Sequence, residues 1–401
     1  MTSTLLQRPA DFSNFGPSIL ARQTRGHLRG SDIPDDRIEA RGMLHEKCPL
    51  EPGVYGWLDS NRQLVYVGKS KCLRKRLLSY FAKTPNDKKA FRIRKHSHFL
   101  VWEPISCELL ALIREQELIY RWRPEFNSQG QPTRTQPAFV CVGGPPAANA
   151  RLVRKLTPKA DKAYGPISGT NRLRLAIESL NQVFQLRDCP DRTKFEFSNQ
   201  QLLFGERQTA SCIRHELGSC PAPCAGHCSA HEYQTNVEQL LNFLDGKSPQ
   251  LLKSLETKMH EAATTAAFER AAIIRDYWKQ LTWLDRRLTG LRLAHKNLNG
   301  VLPVKARRNR IAWIILKGGR IVQTVKRPDD PAAASKLLPQ IQKITRCETE
   351  LPTNVLEMNL QLIVISWLRK NPQLKKQIIS FPNAIDYLQQ IEALALSPPS
   401  C

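Results

Sequence analysis

Two tyrosines sit in short β-rich runs, Tyr55 in GVYGWL and Tyr66 in LVYVG, and a glycine and a run of cations follow them: Gly68, Lys69, Arg74, Lys75 and Arg76. Phosphodiester hydrolysis needs an activated water, a divalent cation to stabilise charge on the phosphate and leaving oxygen, and fixed cationic donors beside the phosphate. This segment offers the phenols and the cations. DSNRQ between the two runs supplies turn residues for a hairpin, so the phenols fall on neighbouring strands and can share one shallow pocket. Gly68, at a strand end, would let backbone approach a phosphate. CLRKRLLSYF reads as a basic helix with Arg76 and Tyr80 on one face. Beyond it, Lys88, Lys89, Arg92, Arg94 and Lys95 read as a face that contacts DNA phosphates and positions them without reading bases. His96 and His98 have no carboxylate nearby and read as surface histidines.

A second constellation is made of thiols. Cys189, Cys212, Cys220 and Cys224 lie in FQLRDC, SCIRHELGSC and PAPC. Four thiolates suit tetrahedral zinc or a cubane iron-sulfur cluster, and the absence of a CxxC spacing argues against zinc. Cys228 is an alternative ligand. Pro221 and Pro223 keep the last turn extended.

The elements that must position these groups follow from pattern. Phe99 to Ile105 reads as a third strand, and Cys107 to Trp122 as a helix with Leu109, Leu110, Leu112, Ile113 and Ile119 on its buried side, ended by Pro124. Residues 1–46 lack a sustained apolar period and read as a flexible arm. The expected division is 47–135 for the catalytic domain, 136–188 for a connecting α/β segment holding a strand or two and a helix, 189–228 for the cysteine region, 229–290 for a helical hairpin and 291–401 for an α/β C-terminal region. Long helical patterns run from Ala230 to Leu244 and from Pro249 to Leu288. IAWIILKGGRIVQTV reads as a hairpin turning at Gly318 and Gly319. The fold class is α+β.

Sixty Lys plus Arg against 36 Asp plus Glu leave a formal charge of +24 in 401 residues. Such an excess attracts a polyanion, nucleic acid ahead of a ribosomal or anionic-membrane surface. No secretory signal or membrane-length apolar run is read, so the expected setting is the cytoplasm, where the eleven cysteines would be mostly reduced.

GVY, YVGKS, LRKRLLSYF and PEFN together resemble the GIY-YIG nuclease family, and within it the N-terminal half of the bacterial UvrC-type excinucleases. The resemblance implies a small domain with a three-stranded antiparallel sheet and helices, and a site of Tyr55, Tyr66, Gly68, Lys69, Arg76, Tyr80, Glu115 and Asn127. Glu115 would hold a single Mg2+ or Mn2+, with Glu108 and Glu117 as competitors, and Arg76 would hold the scissile phosphate. A phenol would serve as general base, directly or through solvent. An ordinary phenol titrates near ~10, so Lys69 or the cation would have to lower it.

The cysteine run resembles the [4Fe-4S] region of those excinucleases. FERAAIIRDYWKQLTWL resembles the UVR motif, which implies docking to a UvrB-like damage-loading partner through Phe268, Ala271, Ile274 and Arg275. The resemblance stops before the RNase H-like and helix-hairpin-helix modules of the UvrC type. The expectation is therefore one incision in damaged double-stranded DNA, on the 3′ side of a lesion. The rival expectations are a stand-alone structure-specific endonuclease and a non-catalytic DNA-binding or recruiting protein.

Overall fold

A computed structural model describes residues 12–82, 87–127, 136–144, 146–156, 162–190, 193–199, 212–306 and 310–396. They fall into two compact units, one drawn from both ends of the chain (Met1–Thr133 with Ala294–Cys401) and one from Arg134–Leu293. Residues 1–11 of the arm and the expected boundary at 135 lie outside the described residues.

The rest of the segment expected as a flexible arm carries β1 (Arg29–Asp32) and α1 (Arg37–Lys47). Asp36 caps α1, its carboxylate accepting from the Ile38 and Glu39 amides at 2.7 and 2.9 Å, which satisfies donors that the helix itself leaves free. Only Ala40, Met43 and Leu44 of this helix are buried. So short an apolar stripe is hard to see among the surrounding Arg, Asp and Gly.

β2 (Gly53–Leu58), β3 (Leu64–Ser70) and β4 (Phe99–Pro104) form the antiparallel sheet read from the sequence, and β1 adds a fourth strand, giving the order β1-β4-β2-β3. The central β2 is buried along its whole length, hence its continuous apolar run. The helices of this part are α2 (Leu73–Ser79), α3 (Lys88–Lys95) and α4 (Glu108–Trp122). Val54, Leu58 and Val67 share a core with Leu109, Leu110 and Ile113 of α4. Tyr55, Trp57, Leu100 and Trp102 share another with Leu44, Leu73, Leu77 and Ile93 from α1, α2 and α3.

The second unit opens with β5 (Ala138–Gly143), β6 (Asn149–Val153) and β7 (Lys162–Ile167), in the order β6-β5-β7, followed by α5 (Thr170–Val183). Asn181 of α5 pins β6 through both ends of its amide, accepting from the Ala150 N–H at 3.0 Å and donating to the Ala150 carbonyl at 2.9 Å. A short α6 (Ile213–Glu216) precedes α7 (Ala230–Leu244), whose start is closed by a capping box between Ser229 and Glu232. The single helix expected from Pro249 to Leu288 is two: α8 (Gln250–Thr264) and α9 (Phe268–Asn297). The break falls at Ala266, whose φ of 56° is left-handed and cannot continue a right-handed helix.

Back in the first unit, β8 (Gly300–Lys305), β9 (Ile311–Lys317) and β10 (Arg320–Lys326) form an antiparallel sheet ordered β10-β9-β8. The β9–β10 turn sits at Gly318 and Gly319 as expected, both at positive φ (57° and 76°). β8 is an addition to the sequence reading. Its Pro303 argues against a strand, but β8 is at the sheet edge, where a missing N–H is tolerated. α10 (Pro331–Arg346), α11 (Val355–Lys370), α12 (Pro372–Lys376) and α13 (Phe381–Leu396) complete the chain. Leu356, Leu360 and Val364 of α11 enter the same core as the buried face of α4. Among the described residues no helix is long and apolar enough to cross a membrane.

Candidate active site

Strand register builds the pocket. β2 and β3 pair Tyr55 with Gly68 and Trp57 with Tyr66. A Cβ on Gly68 would lie 2.6 Å from the Tyr55 Cζ and hydroxyl, so the glycine is needed because the Tyr55 ring occupies the space of a side chain. The Tyr66 and Tyr80 rings stand 6.2 and 6.0 Å from that of Tyr55. The Tyr55 and Tyr80 hydroxyls are 2.9 Å apart in a hydrogen bond. Arg76 Nε donates to the Tyr55 hydroxyl at 3.2 Å, and its guanidinium lies over the Tyr80 ring at 4.9 Å, a cation–π arrangement that steadies it. Tyr80 is buried, Tyr55 almost wholly so, while Arg76 and Tyr66 remain partly exposed.

Glu115 reaches this pocket from α4. Its Oε1 accepts from the Lys69 backbone amide at 3.0 Å, and its charge acts on both Tyr55 and Tyr66. Burial pushes the Glu115 carboxyl up to about 7, against the opposing pull of Lys69. The Lys69 ammonium itself turns away, donating to Glu108 Oε1 at 2.8 Å, while Lys71 pairs with Glu108 Oε2 at 3.0 Å. Burial raises the Glu108 carboxyl, but these two hydrogen bonds outweigh it and hold the group below its usual range.

Of the two groups expected to lower a phenol, Lys69 or the cation, Lys69 is not among the charges acting on Tyr55, Tyr66 or Tyr80. Burial is the leading cause that pushes Tyr55, Tyr66 and Tyr80 all upward, so each stays protonated near neutral pH. Burial also works against the Arg76 charge, but the neighbouring phenols more than offset it, and the guanidinium stays cationic.

The competing carboxylate, Glu117, is fully engaged elsewhere. It accepts from Ser18 Oγ at 2.5 Å, the Ile19 amide at 2.8 Å and Arg114 Nη1 at 2.9 Å. Arg114 also binds Glu103 Oε2 at 2.9 Å and the carbonyls of Gly16 and Pro17 at 2.9 and 2.8 Å. This buried set ties the N-terminal segment to the helix that carries Glu115, and residue type alone gave no sign of it. Asn127 is placed differently from the other site residues. Its amide accepts from the Val67 N–H and donates to the Val67 carbonyl, each at 2.8 Å, so it holds β3 next to Gly68.

Of the cations expected on DNA, Lys75, Lys88, Lys89, Arg92 and Lys95 are exposed. Lys89 Nζ lies 5.3 Å over the Tyr66 ring, which brings α3 to the pocket. Arg74 is half-buried, its Nε donating to the Cys48 carbonyl at 2.6 Å, and Arg94 rests on the Phe81 ring at 4.8 Å, so both also serve packing. His96 and His98 are exposed. Glu115, a lone half-buried carboxylate among phenols, fits magnesium or manganese, which keep several waters and need only one or two protein carboxylates.

The cysteines do not fit their expected group. Cys212 is exposed, Cys220 buried, and Cys189 and Cys224 half-buried. They lie within electrostatic reach of one another, yet among the described residues no three His, Cys, Asp or Glu side chains are grouped to hold a metal ion. Burial raises the thiols of Cys220 and Cys224, and that of Cys228 to about 11. On α9, Phe268 and Arg275 are exposed, Ile274 half-buried and Ala271 buried.

Three family models match the chain in succession: the UvrC-like GIY-YIG domain over residues 51–128, the UvrC/Cho excinuclease middle domain over 142–243, and the UvrB/uvrC motif over 249–281. UvrABC system protein C of Rickettsia felis is 30% identical over 238 residues, covering 59% of this chain and 35% of its own. That of Neisseria meningitidis serogroup A is 29% identical over 287 residues, covering 70% of this chain and 44% of its own. The chain thus spans between a third and a half of the length of these relatives. A crystal structure of the GIY-YIG N-terminal endonuclease domain of UvrC from Thermotoga maritima, bound to magnesium as its catalytic divalent cation, is 36% identical, with coverage of 22% of this chain and 93% of that one and a TM-score of 0.20.

Proposed function

We infer that this chain, which carries a GIY-YIG domain of the UvrC type followed by a UvrC middle domain and a UVR motif, is a metal-dependent DNA endonuclease of nucleotide excision repair. The observation that carries the reading is convergence: Tyr55, Tyr66, Arg76 and Glu115 come from four different elements and meet around Gly68. Glu115 is the group that would hold the divalent cation, which when bound stabilises the charge developing on the phosphate and leaving oxygen. Arg76, fixed by two phenols, offsets charge on the scissile phosphate. Tyr55 and Tyr80, protonated and hydrogen-bonded to each other, orient Arg76; Tyr66, at the pocket mouth, is the phenol left to orient the attacking water.

The reaction proposed is hydrolysis of one phosphodiester on the 3′ side of a lesion in duplex DNA, with a UvrB protein as the partner that loads the enzyme there. Support for that partner is the UVR match and the exposure of Phe268, 69% of whose surface is open. The test is nicking of a lesion-bearing duplex with magnesium, with and without UvrB. Glu115→Ala should abolish nicking while DNA binding is kept; unchanged nicking would sink the assignment.

A further inference from the structure

A cleft of about 490 Å³ opens in the first unit, with Arg22, Arg25, Arg29, Glu51, Glu103 and Arg310 in its walls. Its arginines come from the N-terminal segment before and within β1 and from the end of the β8–β9 loop. Charge within the cleft is unbalanced. Glu103 is spent on Arg25 Nη1 at 3.1 Å and on Arg114 at 2.9 Å, and Arg114 is shared with Glu117, so these four groups form a neutral set. Arg22, Arg29 and Arg310 are exposed and make no ion pair among the described residues. The buried Nε of Arg25 also lacks a hydrogen-bond partner there. With Glu51 the one other carboxylate among these wall residues, the three exposed guanidiniums leave the concavity net positive, and their forked donors match phosphate oxygens.

Position points to the source of that phosphate. Glu51 and Pro49, both in the cleft wall, accept through their carbonyls from the Leu73 and Arg74 amides at 2.9 and 3.2 Å. Those amides begin α2, the helix of Arg76. In the sheet, Gly53 pairs with Pro104 at the cleft on one side and with Ser70, next to Lys69, on the other. From the cleft edge to the Glu115 end of β3 is roughly two strand spacings, on the order of 10 Å, or about three base-pair steps of duplex at ~3.4 Å each.

We propose that this cleft is a second DNA-backbone subsite, in which Arg22, Arg29 and Arg310 grip phosphates a few base pairs from the one cut and so fix the register of the duplex over the tyrosine pocket. That register rests on the nuclease reading; the grip itself is tested without cleavage. The full chain carrying Arg22→Ala, Arg29→Ala and Arg310→Ala is compared with one carrying Lys336→Ala, Lys375→Ala and Lys376→Ala, which removes equal exposed charge elsewhere in the same unit. Duplex affinity is measured with metal chelated, across a salt titration.

The cleft variant should bind at least about tenfold more weakly, with a log–log salt slope shallower by about two to three, at roughly 0.9 per lost phosphate contact. Arginine-to-lysine replacement at the same three positions should restore most of the slope, and an unchanged melting curve excludes misfolding. Equal losses in both alanine variants would mean diffuse attraction and overturn the proposal, as would no loss in either. Inorganic pyrophosphate protecting the cleft arginines from chemical modification where duplex does not would overturn it in favour of a small-anion site. Unchanged duplex binding by the cleft variant, alongside lost nicking in Glu115→Ala, removes the subsite and leaves the nuclease standing; persistent nicking in Glu115→Ala with weakened binding in the cleft variant does the reverse.

Discussion

The tyrosine pocket and the cysteine turn hold residue types equally suited to chemistry, and they are held by different kinds of structure. In the pocket, Tyr55 and Gly68 are partners across a strand ladder, Arg76 and Glu115 project from helices packed on either face of that sheet, and Tyr80 directly follows the helix of Arg76. A ladder converts sequence spacing into fixed geometry, because shifting register by one residue would send every side chain to the opposite face. The four cysteines instead lie between α5 and α7, one exposed and one buried, and among the described residues no strand pairing ties them to one another. Spacing in the sequence became a fixed pocket where strands enforced it.

The comparison would break most visibly at Arg76. Arg76→Ala should lower nicking by about 10²–10³-fold, the usual loss for a fixed donor to developing charge, while Cys220→Ser and Cys224→Ser should stay within about twofold of the parent; a cysteine variant as damaging as Arg76→Ala would make the turn part of the site. Gly68→Ala comes next. Its methyl must displace the Tyr55 ring, at about 1–3 kcal/mol, and nicking rates with thermal melting would register both the lost stability and the displaced phenol.

Metal affinity should follow pH through Glu115. Its raised carboxyl, near 7, binds a proton in competition with the cation, so affinity should climb about tenfold per unit below pH 7 and level off above it. Without metal the sign for stability is opposite: a carboxyl raised from 4.5 to about 7 on folding favours the folded state fully below pH 4.5, and that contribution is lost as pH rises to 7. Calorimetric titration and melting at a series of pH values test the two together. Glu115→Gln should flatten both.

The smallest contrast is between two asparagines. Asn127 and Asn181 each pin one strand residue through both amide atoms. Alanine at either should cost roughly 1–3 kcal/mol by leaving buried backbone groups unpaired. Only Asn127→Ala should also slow nicking, since Val67 adjoins Gly68 and Asn181 serves a different sheet. Equal nicking in the two variants would show that Asn127 is purely structural.

Much of the first sheet was legible because β2, β3 and β4 carry dense apolar runs with clear turns between them. The expected pocket residues Tyr55, Tyr66, Gly68, Arg76, Tyr80 and Glu115 do meet. Other features depend on partners far along the chain. The apolar stripe of α1 is too short to stand out, β8 hides behind Pro303, and nothing near Arg114 announces that it would join Gly16, Pro17, Glu103 and Glu117 in one buried set. Lys69 misleads for the same reason: charge density in the sequence does not say which carboxylate an ammonium will choose, and Glu108 took it.

The first unit is discontinuous, and this has a consequence for synthesis. The apolar face of α4 shares its core with Leu356, Leu360 and Val364, which the ribosome makes only after the whole of Arg134–Leu293. At ~5–20 residues per second, the helix that bears Glu115 waits on the order of ten seconds or more with part of its core uncovered. The second unit, complete in sequence, is free to fold during that interval. In a nascent chain of this protein the core around α4 is therefore begun early and completed only once α11 has been made.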